Sequence, residues 1–512
     1  MRILGLSFQF HDAAATVIED GEILYASHSE RYSKEKNDPF LNHEMIADCL
    51  KFGKPDVIAL HEKSWAKKLR NIYAGNWRAL TEPTMERWIK EFFPELAGIP
   101  IKSYWHHETH AAAGVLTSKF DNCAVMVIDA IGEFDTASIW HWKEGTLRKV
   151  HSVKFPSSLG LFYSAMTAHV GLKPMEDEYV LMGMAAYGKP IYQVAMEEEF
   201  FVDSNCEEPR RSVAMKKNLQ KGLPKSYLGR DRCALLDQWG HHSLDYDIAA
   251  SAQAVVEKRI VEYARHALIE TKSDNLVFMG GVALNCVANS KLFALFSNIH
   301  IMPNPGDAGS SLGAAALHYY NHTGKKINWT GAYLGNDIKG TYPIKKSLKS
   351  LLAGEIFGIA NGKAEFGPRA LGNRTLCADP RGDKIKDAVN KIKRRQEFRP
   401  FAPIILQEHV HDYFDMPGHV SDAPYMQYVA KCKKPKEFPA IVHADGTSRV
   451  QTVNMNQHPD LYKLMTQFYK ETGCPMVLNT SLNIKGMPIV NDEKDAHDFE
   501  EKYNVPVYTT DD

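Results

Sequence analysis

No two cysteines in this 512-residue chain stand in a Cys-x-x-Cys spacing. The eight present, Cys49, Cys123, Cys206, Cys233, Cys286, Cys377, Cys432 and Cys474, are scattered singly. That distribution excludes a disulfide scaffold and fits reduced thiols in a cytoplasmic protein. Runs of about 18 apolar residues are also missing, and Met1 to Leu6 passes straight into strand-like sequence without the apolar core of a signal peptide. A soluble, intracellular protein is expected. Charge of one sign is lacking too: 61 Lys and Arg against 62 Asp and Glu leave a net charge of -1. No global field therefore recruits nucleic acid or an anionic membrane.

What is present reads as an α/β protein of roughly two to four domains. Residues 2–8 form a strand, 9–14 a loop, 15–19 a second strand, Asp20-Gly21 a hairpin turn and 22–28 a third strand. The same grammar recurs at 124–129, 136–142 and 146–153, with a loop around Gly132 and a turn at Lys143-Glu144-Gly145. This repetition indicates an internal duplication. Residues 48–93, 157–188 and 246–272 read as mainly helical. Repeated halves of this kind meet at a cleft lined by the strand-tip loops, a geometry suited to nucleotides.

Within Tyr104 to Val115, His106 and His110 are four apart, so on a helix both imidazoles project from one face. A zincin needs His-Glu-x-x-His, whereas Glu108 follows His106 by two and lies on the wrong side. An isolated pair of this spacing is more often structural than metal-binding, so acidic partners must decide. Asp307, in the Gly-rich loop from Pro303 to Gly313, is either a helix N-cap or an oxygen ligand held near the two histidines. Gly280-Gly281 closes a strand before a helix, as a tight turn or as a place where backbone amides approach a phosphate or purine. Beyond the Gly-containing segment 331–341 a second α/β region begins, dense in Arg369, Arg374, Arg381, Lys393, Arg394, Arg395, Arg399 and Arg449. Basic residues beside glycines and aromatics suit a concave phosphate pocket better than a flat nucleic-acid stripe. Lys384, Lys386, Lys433, Lys434 and Lys436 read as a solvated face.

Taken together, the motifs carry a resemblance. They are Gly5-Leu6-Ser7 through His11-Asp12-Ala13-Ala14, Glu30-Arg31-Tyr32-Ser33 with Lys36, His106-His107-x-x-His110-Ala111, and Met182 to Gly188. Further on come Gly280 to Asn285, Pro305 to Gly309, Glu365 to Arg374, Arg399 to Pro403 and Asn479 to Asn483. In this order the chain resembles, over nearly its whole length, the O-carbamoyltransferases of the nodulation and antibiotic-tailoring type. The resemblance implies an actin/Hsp70-like, duplicated ribonuclease H-like N-terminal domain over residues 1–340 and a YrdC-like α/β C-terminal domain over 341–512. It implies that the C-terminal site makes carbamoyl adenylate from carbamoyl phosphate and ATP with magnesium. The N-terminal site then passes the carbamoyl group to an acceptor hydroxyl and releases AMP.

Carried over residue by residue, the resemblance makes His106, His110, Asp129 and Asp307 metal ligands, iron being the family expectation and zinc or manganese substitutes. It makes His11 the general base or proton shuttle, Lys36 a contact for phosphate or developing charge, and Gly280, Gly281 and Asn285 the adenosine cradle. Arg369, Lys393, Arg399 and Arg449 become phosphate clamps, with Asn479 and Ser481 as polar contacts to carbamoyl phosphate or ATP. Tyr32 and Lys34 stand where the family usually has Phe and Arg, and Leu482 replaces a usual Phe. The acceptor is left open among an amino sugar, a lipo-oligosaccharide, a macrolide-type hydroxyl and a hydroxymethylated nucleobase, and a homodimer is the working expectation for assembly. Two rival readings are a tRNA threonylcarbamoyl-type transferase, which the near-neutral charge disfavours, and an inactive nucleotide-binding interaction protein.

Overall fold

The computed structural model describes residues 1–202, 213–220, 222–223, 226–227, 230–231, 243–382 and 384–512. Cys206 and Cys233 lie outside the described residues; the other six cysteines are buried free thiols. The chain forms two compact units. The first comprises Met1–Ser7, Glu19–Gly21 and Lys54–Ile327, and the second Phe8–Ile18, Glu22–Gly53 and Asn328–Asp512.

Up to residue 300 the strands are β1 (Arg2–Ser7), β2 (Ala14–Glu19), β3 (Glu22–His28), β4 (Val57–Leu60), β5 (Ile101–Ser103), β6 (Asn122–Ile128), β7 (Asp135–Lys143), β8 (Thr146–Lys154), a short pair β9 (Ser226–Tyr227) and β10 (Arg230–Asp231), β11 (Asn275–Met279) and β12 (Asn298–His300). In the first unit β1, β4 and β5 run parallel, with Ile3 opposite Val57 and Ile58 opposite Ile101. A second sheet has the order β12-β11-β6-β7-β8, in which β12, β11 and β6 are parallel and β6, β7 and β8 form an antiparallel meander. A strand triplet thus occurs twice along the chain, as the repeated pattern in the sequence predicts, and each time two parallel strands follow it.

One expectation fails. Residues 57–60, placed within a helical stretch by the sequence reading, form the parallel strand β4. Val-Ile-Ala-Leu is buried on both faces, and so short an apolar run has no periodicity to separate strand from helix.

Two helices of this unit, His106–Thr117 and Gly309–Thr323, are buried almost all round. Small residues let them pack backbone to backbone: a β-carbon on Gly313 would lie 2.0 Å from the carbonyl oxygen of Thr109. Among the described residues no helix is long and apolar enough to cross a membrane.

Later strands are β13 (Tyr333–Ile338), β14 (Phe357–Ala360), β15 (Gly362–Glu365), β16 (Arg374–Ala378), β17 (Ala402–Leu406), β18 (Phe414–Asp415), β19 (Tyr428–Cys432), β20 (Thr447–Val453), β21 (Met476–Ser481) and β22 (Val507–Tyr508). Eight of them make the sheet of the second unit, ordered β18-β19-β20-β17-β21-β16-β14-β22. Leu376, Leu482, Phe499 and Val507 belong to an apolar cluster packed within this unit. Asn479 on β21 pairs with Ala402 on β17 and with Cys377 on β16, while Gln451 on β20 pairs with Ile404 on β17. Continuing that register by two residues puts Arg449 beside Ala402. Arg449, Gln451, Asn479 and Ser481 therefore share one face of the sheet, because side chains two apart on a strand point the same way.

Candidate functional site

The 106–117 helix starts at Trp105, whose side chain does not cap it. Its first turn is held instead by Glu133, both of whose carboxylate oxygens accept from the His106 backbone N–H at 3.1 Å. One turn apart on this helix, the Nε2 atoms of His106 and His110 stand 3.1 Å from each other. Asp129 follows the end of β6, and its Oδ2 lies 3.2 Å from both imidazole Nε2 atoms. Asp307, in the loop ahead of the 309–323 helix, brings its Oδ1 to 3.4 Å from His106 Nε2 and 3.3 Å from His110 Nε2. All four side chains are buried, and their ligand atoms lie within 4.8 Å of one another. Parallel pairing of β6 with β11 places the Gly280-Gly281 turn beside Asp129, whose Oδ1 accepts from Gly281 N–H at 3.4 Å.

The donor set fits a metal ion. Two imidazole nitrogens and two carboxylate oxygens face one buried point, and four ligands at about 2.1 Å from a tetrahedral centre would stand about 3.4 Å apart. Burial lowers the proton affinity of both histidines, yet the Asp307 and Asp129 carboxylates outweigh it and raise both. Burial and Asp307 push Asp129 up, but the facing histidines hold it below the usual carboxylate range. Neither histidine has a hydrogen-bond partner on Nδ1, so helix packing sets the ring orientations.

The other predicted first-domain residues take different places. Gly280 has φ +89°, and a β-carbon there would lie 2.2 Å from the Ile128 carbonyl oxygen, so only glycine lets this turn close on β6. Asn285 caps the helix Cys286–Lys291 through Ala288 N–H at 3.1 Å and exchanges hydrogen bonds with Gln253 at 3.0 Å. His11 and Lys36 belong to the second unit; His11 Nδ1 is 3.0 Å from Asp12 Oδ2.

In the second unit the amphipathic helix Ile385–Lys393 ends on the buried Lys393, whose Nζ donates to the Ser481 carbonyl, to Ser481 Oγ at 3.2 Å and to Asn483 Oδ1. Burial, with Arg395, Arg399 and Lys36 adding like charge, pushes this ammonium well below the usual lysine range. His443 is pushed down to about 4 by burial, with Arg449, Lys386 and Arg399 contributing against Asp445. Lys36, Arg395 and Arg399, all partly exposed, are thus near enough to act on the buried Lys393, and Lys386, Arg399 and Arg449, also partly exposed, on His443. Lys386 was assigned to a solvated face by sequence; it stands seven residues before Lys393 on the same helix face. Arg369 is half-buried and precedes Ala370, whose carbonyl accepts from Asn479 Nδ2 at 2.8 Å. Arg374, by contrast, is wholly buried and holds the carbonyls of Asn336, Asn361, Gly362, Asn373 and Asn491, while Arg381 pairs with Asp379.

The sequence of these units matches a known protein class. Residues 58–316 match the model of the carbamoyltransferase N-terminus, and residues 348–512 that of the carbamoyltransferase C-terminus. The chain is thus a transferase of mixed α/β fold, and it belongs to the carbamoyltransferase family of the nodulation and antibiotic-tailoring type. Carbamoyl transfer from a donor to a hydroxyl acceptor is the chemistry of this family. Nodulation protein NolO of Bradyrhizobium diazoefficiens is 34% identical, with 76% of this chain and 75% of that protein covered. An uncharacterised protein of Synechocystis sp. is 32% identical over 97% of this chain and 93% of its own length. The 3'-hydroxymethylcephem-O-carbamoyltransferase of Amycolatopsis lactamdurans is 28% identical over 94% and 93%.

Proposed function

We propose that the protein is an ATP-dependent O-carbamoyltransferase that works in two steps. In the first, carbamoyl phosphate, ATP and one water give carbamoyl adenylate, pyrophosphate and inorganic phosphate, with magnesium accompanying ATP. In the second, an acceptor hydroxyl attacks the carbamoyl carbon, the bond from that carbon to the AMP oxygen breaks, and AMP leaves. The reading is carried by one observation: a single chain holds a buried nitrogen and oxygen ligand set in one unit and a buried, cation-crowded lysine in the other.

In the second unit, Lys393, Arg399 and Arg449, with Arg369, bind the phosphate groups, whose mutual repulsion must be overcome before they react. Ser481 holds the Lys393 ammonium in place. In the first unit, His106, His110, Asp129 and Asp307 would hold iron, or zinc or manganese in its stead. When bound, the ion supplies Lewis acidity toward the carbamoyl carbonyl. Gly280 and Gly281 admit the adenosine, and Asn285 supports that turn as a cap. His11 takes the proton of the acceptor hydroxyl, and the Asp12 carboxylate, 3.0 Å from its Nδ1, orients the ring. Lys36 meets the phosphate or the charge that develops on it.

The strand triplet followed by parallel strands, found twice, supports an actin/Hsp70-like N-terminal domain. A YrdC-like C-terminal domain, a boundary near residue 340, a homodimer and a cytoplasmic location complete the proposal. The test is to incubate the purified protein with carbamoyl phosphate, ATP and magnesium and to measure pyrophosphate release, then AMP release on adding hydroxyl acceptors screened by a carbamoyl mass shift. Pyrophosphate release that needs carbamoyl phosphate is the expected result; its absence refutes the reading.

A further inference from the structure

The helix Ser64–Tyr73 of the first unit turns its larger apolar stripe outward. Ala66 and Arg70, one turn apart, lie on its buried side. Trp65, Leu69 and Tyr73 recur every four residues and so share a different face, on which they are between 53% and 68% exposed. An amphipathic helix ordinarily gives such a stripe to the core. Two neighbours extend the patch. The 3-10 turn Trp77–Leu80 packs against the helix and leaves Trp77 and Leu80 exposed to a similar degree. Trp105, 41% exposed, meets Trp65 edge to face with ring centroids 5.8 Å apart. At roughly 150–250 Å² for a whole aromatic side chain, these exposures leave on the order of 600 to 700 Å² of apolar surface in one place. The largest patch on an ordinary monomer is about 300 to 600 Å² and often functional.

Shape and charge define what covers it. A helix flank is convex, whereas small molecules are held in concave clefts. The cations on this helix are engaged within their own chain: Lys67 pairs with Glu62 at 2.6 Å, Lys68 donates to the Glu82 carbonyl, and Arg70 is buried. A second copy of the same face is therefore not met by loose like charge. The spacing is also self-complementary, because Trp65 and Tyr73 stand four residues to either side of Leu69. Two such helices laid antiparallel across a twofold axis bring each Trp65 to the partner's Tyr73, and Leu69 to its own copy. Trp65 is braced by Trp105, and Tyr73 by Phe155 with ring centroids 6.2 Å apart, so both lose little freedom on association. A stable interface takes about 800 Å² from each partner. The patch supplies most of that.

We propose that this face joins two copies of the chain in an isologous dimer, with Leu69 of each copy at the twofold axis. The proposal goes beyond the carbamoyl-transfer reading and does not depend on it; it gives the homodimer a surface and a symmetry. Packed helices run about 8 to 10 Å apart and carry their Cα atoms about 2.3 Å from the axis, so the two Leu69 Cα atoms should stand roughly 3.5 to 5.5 Å apart, a range that overlaps the span of a disulfide, about 4.4 to 6.8 Å.

Analytical ultracentrifugation of the full chain tests this. The wild-type protein should be a dimer at about 10 μM, because interfaces of this size hold at micromolar concentration or below. Leu69→Arg puts two like charges on the axis and should raise the dimer Kd by at least about 100-fold, with the circular dichroism spectrum unchanged because the position is exposed in the single chain. Leu69→Cys, oxidised in air, should run as a disulfide-linked dimer on a non-reducing gel. Ile269→Cys, as exposed but on the helix Ser243–Thr271, should not. If Leu69→Arg does not fold, the cysteine variant decides alone. A wild-type monomer at about 100 μM overturns the proposal and the homodimer together. A wild-type dimer that a folded Leu69→Arg leaves intact, or that Leu69→Cys does not lock, overturns the proposal while the homodimer stands on another face. Neither result bears on carbamoyl transfer, which the pyrophosphate assay tests separately.

Discussion

Both carboxylate oxygens of Glu133 stand 3.1 Å from the backbone nitrogen of His106, and one of them also accepts from Lys63 N–H at 2.9 Å. The helix that carries His106 and His110 is thus capped from a separate loop, by a carboxyl that burial and the neighbouring Glu62 push up to about 7. Glu133→Ala should cost about 1 to 2 kcal/mol of stability, the usual loss for a helix cap, and weaken metal binding by about tenfold. Glu133→Gln keeps an acceptor for the His106 N–H and should recover most of both. Thermal melting and metal titration check this. Equal damage from both substitutions would argue that the charge of Glu133, rather than its hydrogen bonds, is what matters.

Removing a member of the four-residue cluster should separate metal loading from the second unit's reaction. His110→Ala or Asp307→Ala should lower metal content by about 100-fold at limiting metal, since a ligand is worth more than a second-shell partner. Pyrophosphate release should persist and AMP release to acceptor should fail. Elemental analysis and the two product assays read these outcomes; unimpaired transfer would remove the cluster from the mechanism.

Arg399→Ala tests the opposite half. Arg399 contributes to the positive field that depresses Lys393, and its loss should slow adenylate formation by about 100-fold, the scale of one preorganised charged contact. Transfer from chemically prepared carbamoyl adenylate should stay within about threefold. Equal losses in the two assays would show that the steps share one site.

Anion binding at Lys393 has a pH signature. The free protein holds this lysine well below the usual range through burial, then Arg395, Arg399 and Lys36, whereas a bound anion raises it again. Below the free-protein value Lys393 is already charged and affinity is flat. As pH rises through that value, binding must take up a proton and weakens by up to about tenfold per pH unit. Sulfate is the suitable probe because it does not titrate here. Calorimetry should find the slope in the wild-type protein and no slope in Lys393→Met; an affinity that climbs with pH would refute the account.

Much of the candidate site was legible in the sequence, for physical reasons. His106 and His110 share a helix face by their i, i+4 spacing, but the pair alone reads more often as structural, and the family resemblance is what made them ligands. Asp129 at a strand end and Asp307 in a glycine-rich loop are visible as ligand types, but their meeting depends on β6 lying parallel to β11, which no local pattern encodes. Glu133 was missed because a cap supplied from another loop has no fixed offset from the helix it serves. β4 was missed because four buried apolar residues lack a period. Arg374 and Arg399 look alike as letters. Only the fold shows that the first is surrounded by main-chain carbonyls while the second faces other cations.

Gly313 has a reach beyond packing. With its Cα where a β-carbon would lie 2.0 Å from the Thr109 carbonyl oxygen, the stretch leading from Asp307 and the turn bearing the two histidines rest directly on one another. Any side chain at position 313 would have to push these two helices apart, and with them the loop that carries Asp307 and the turn that carries His106 and His110.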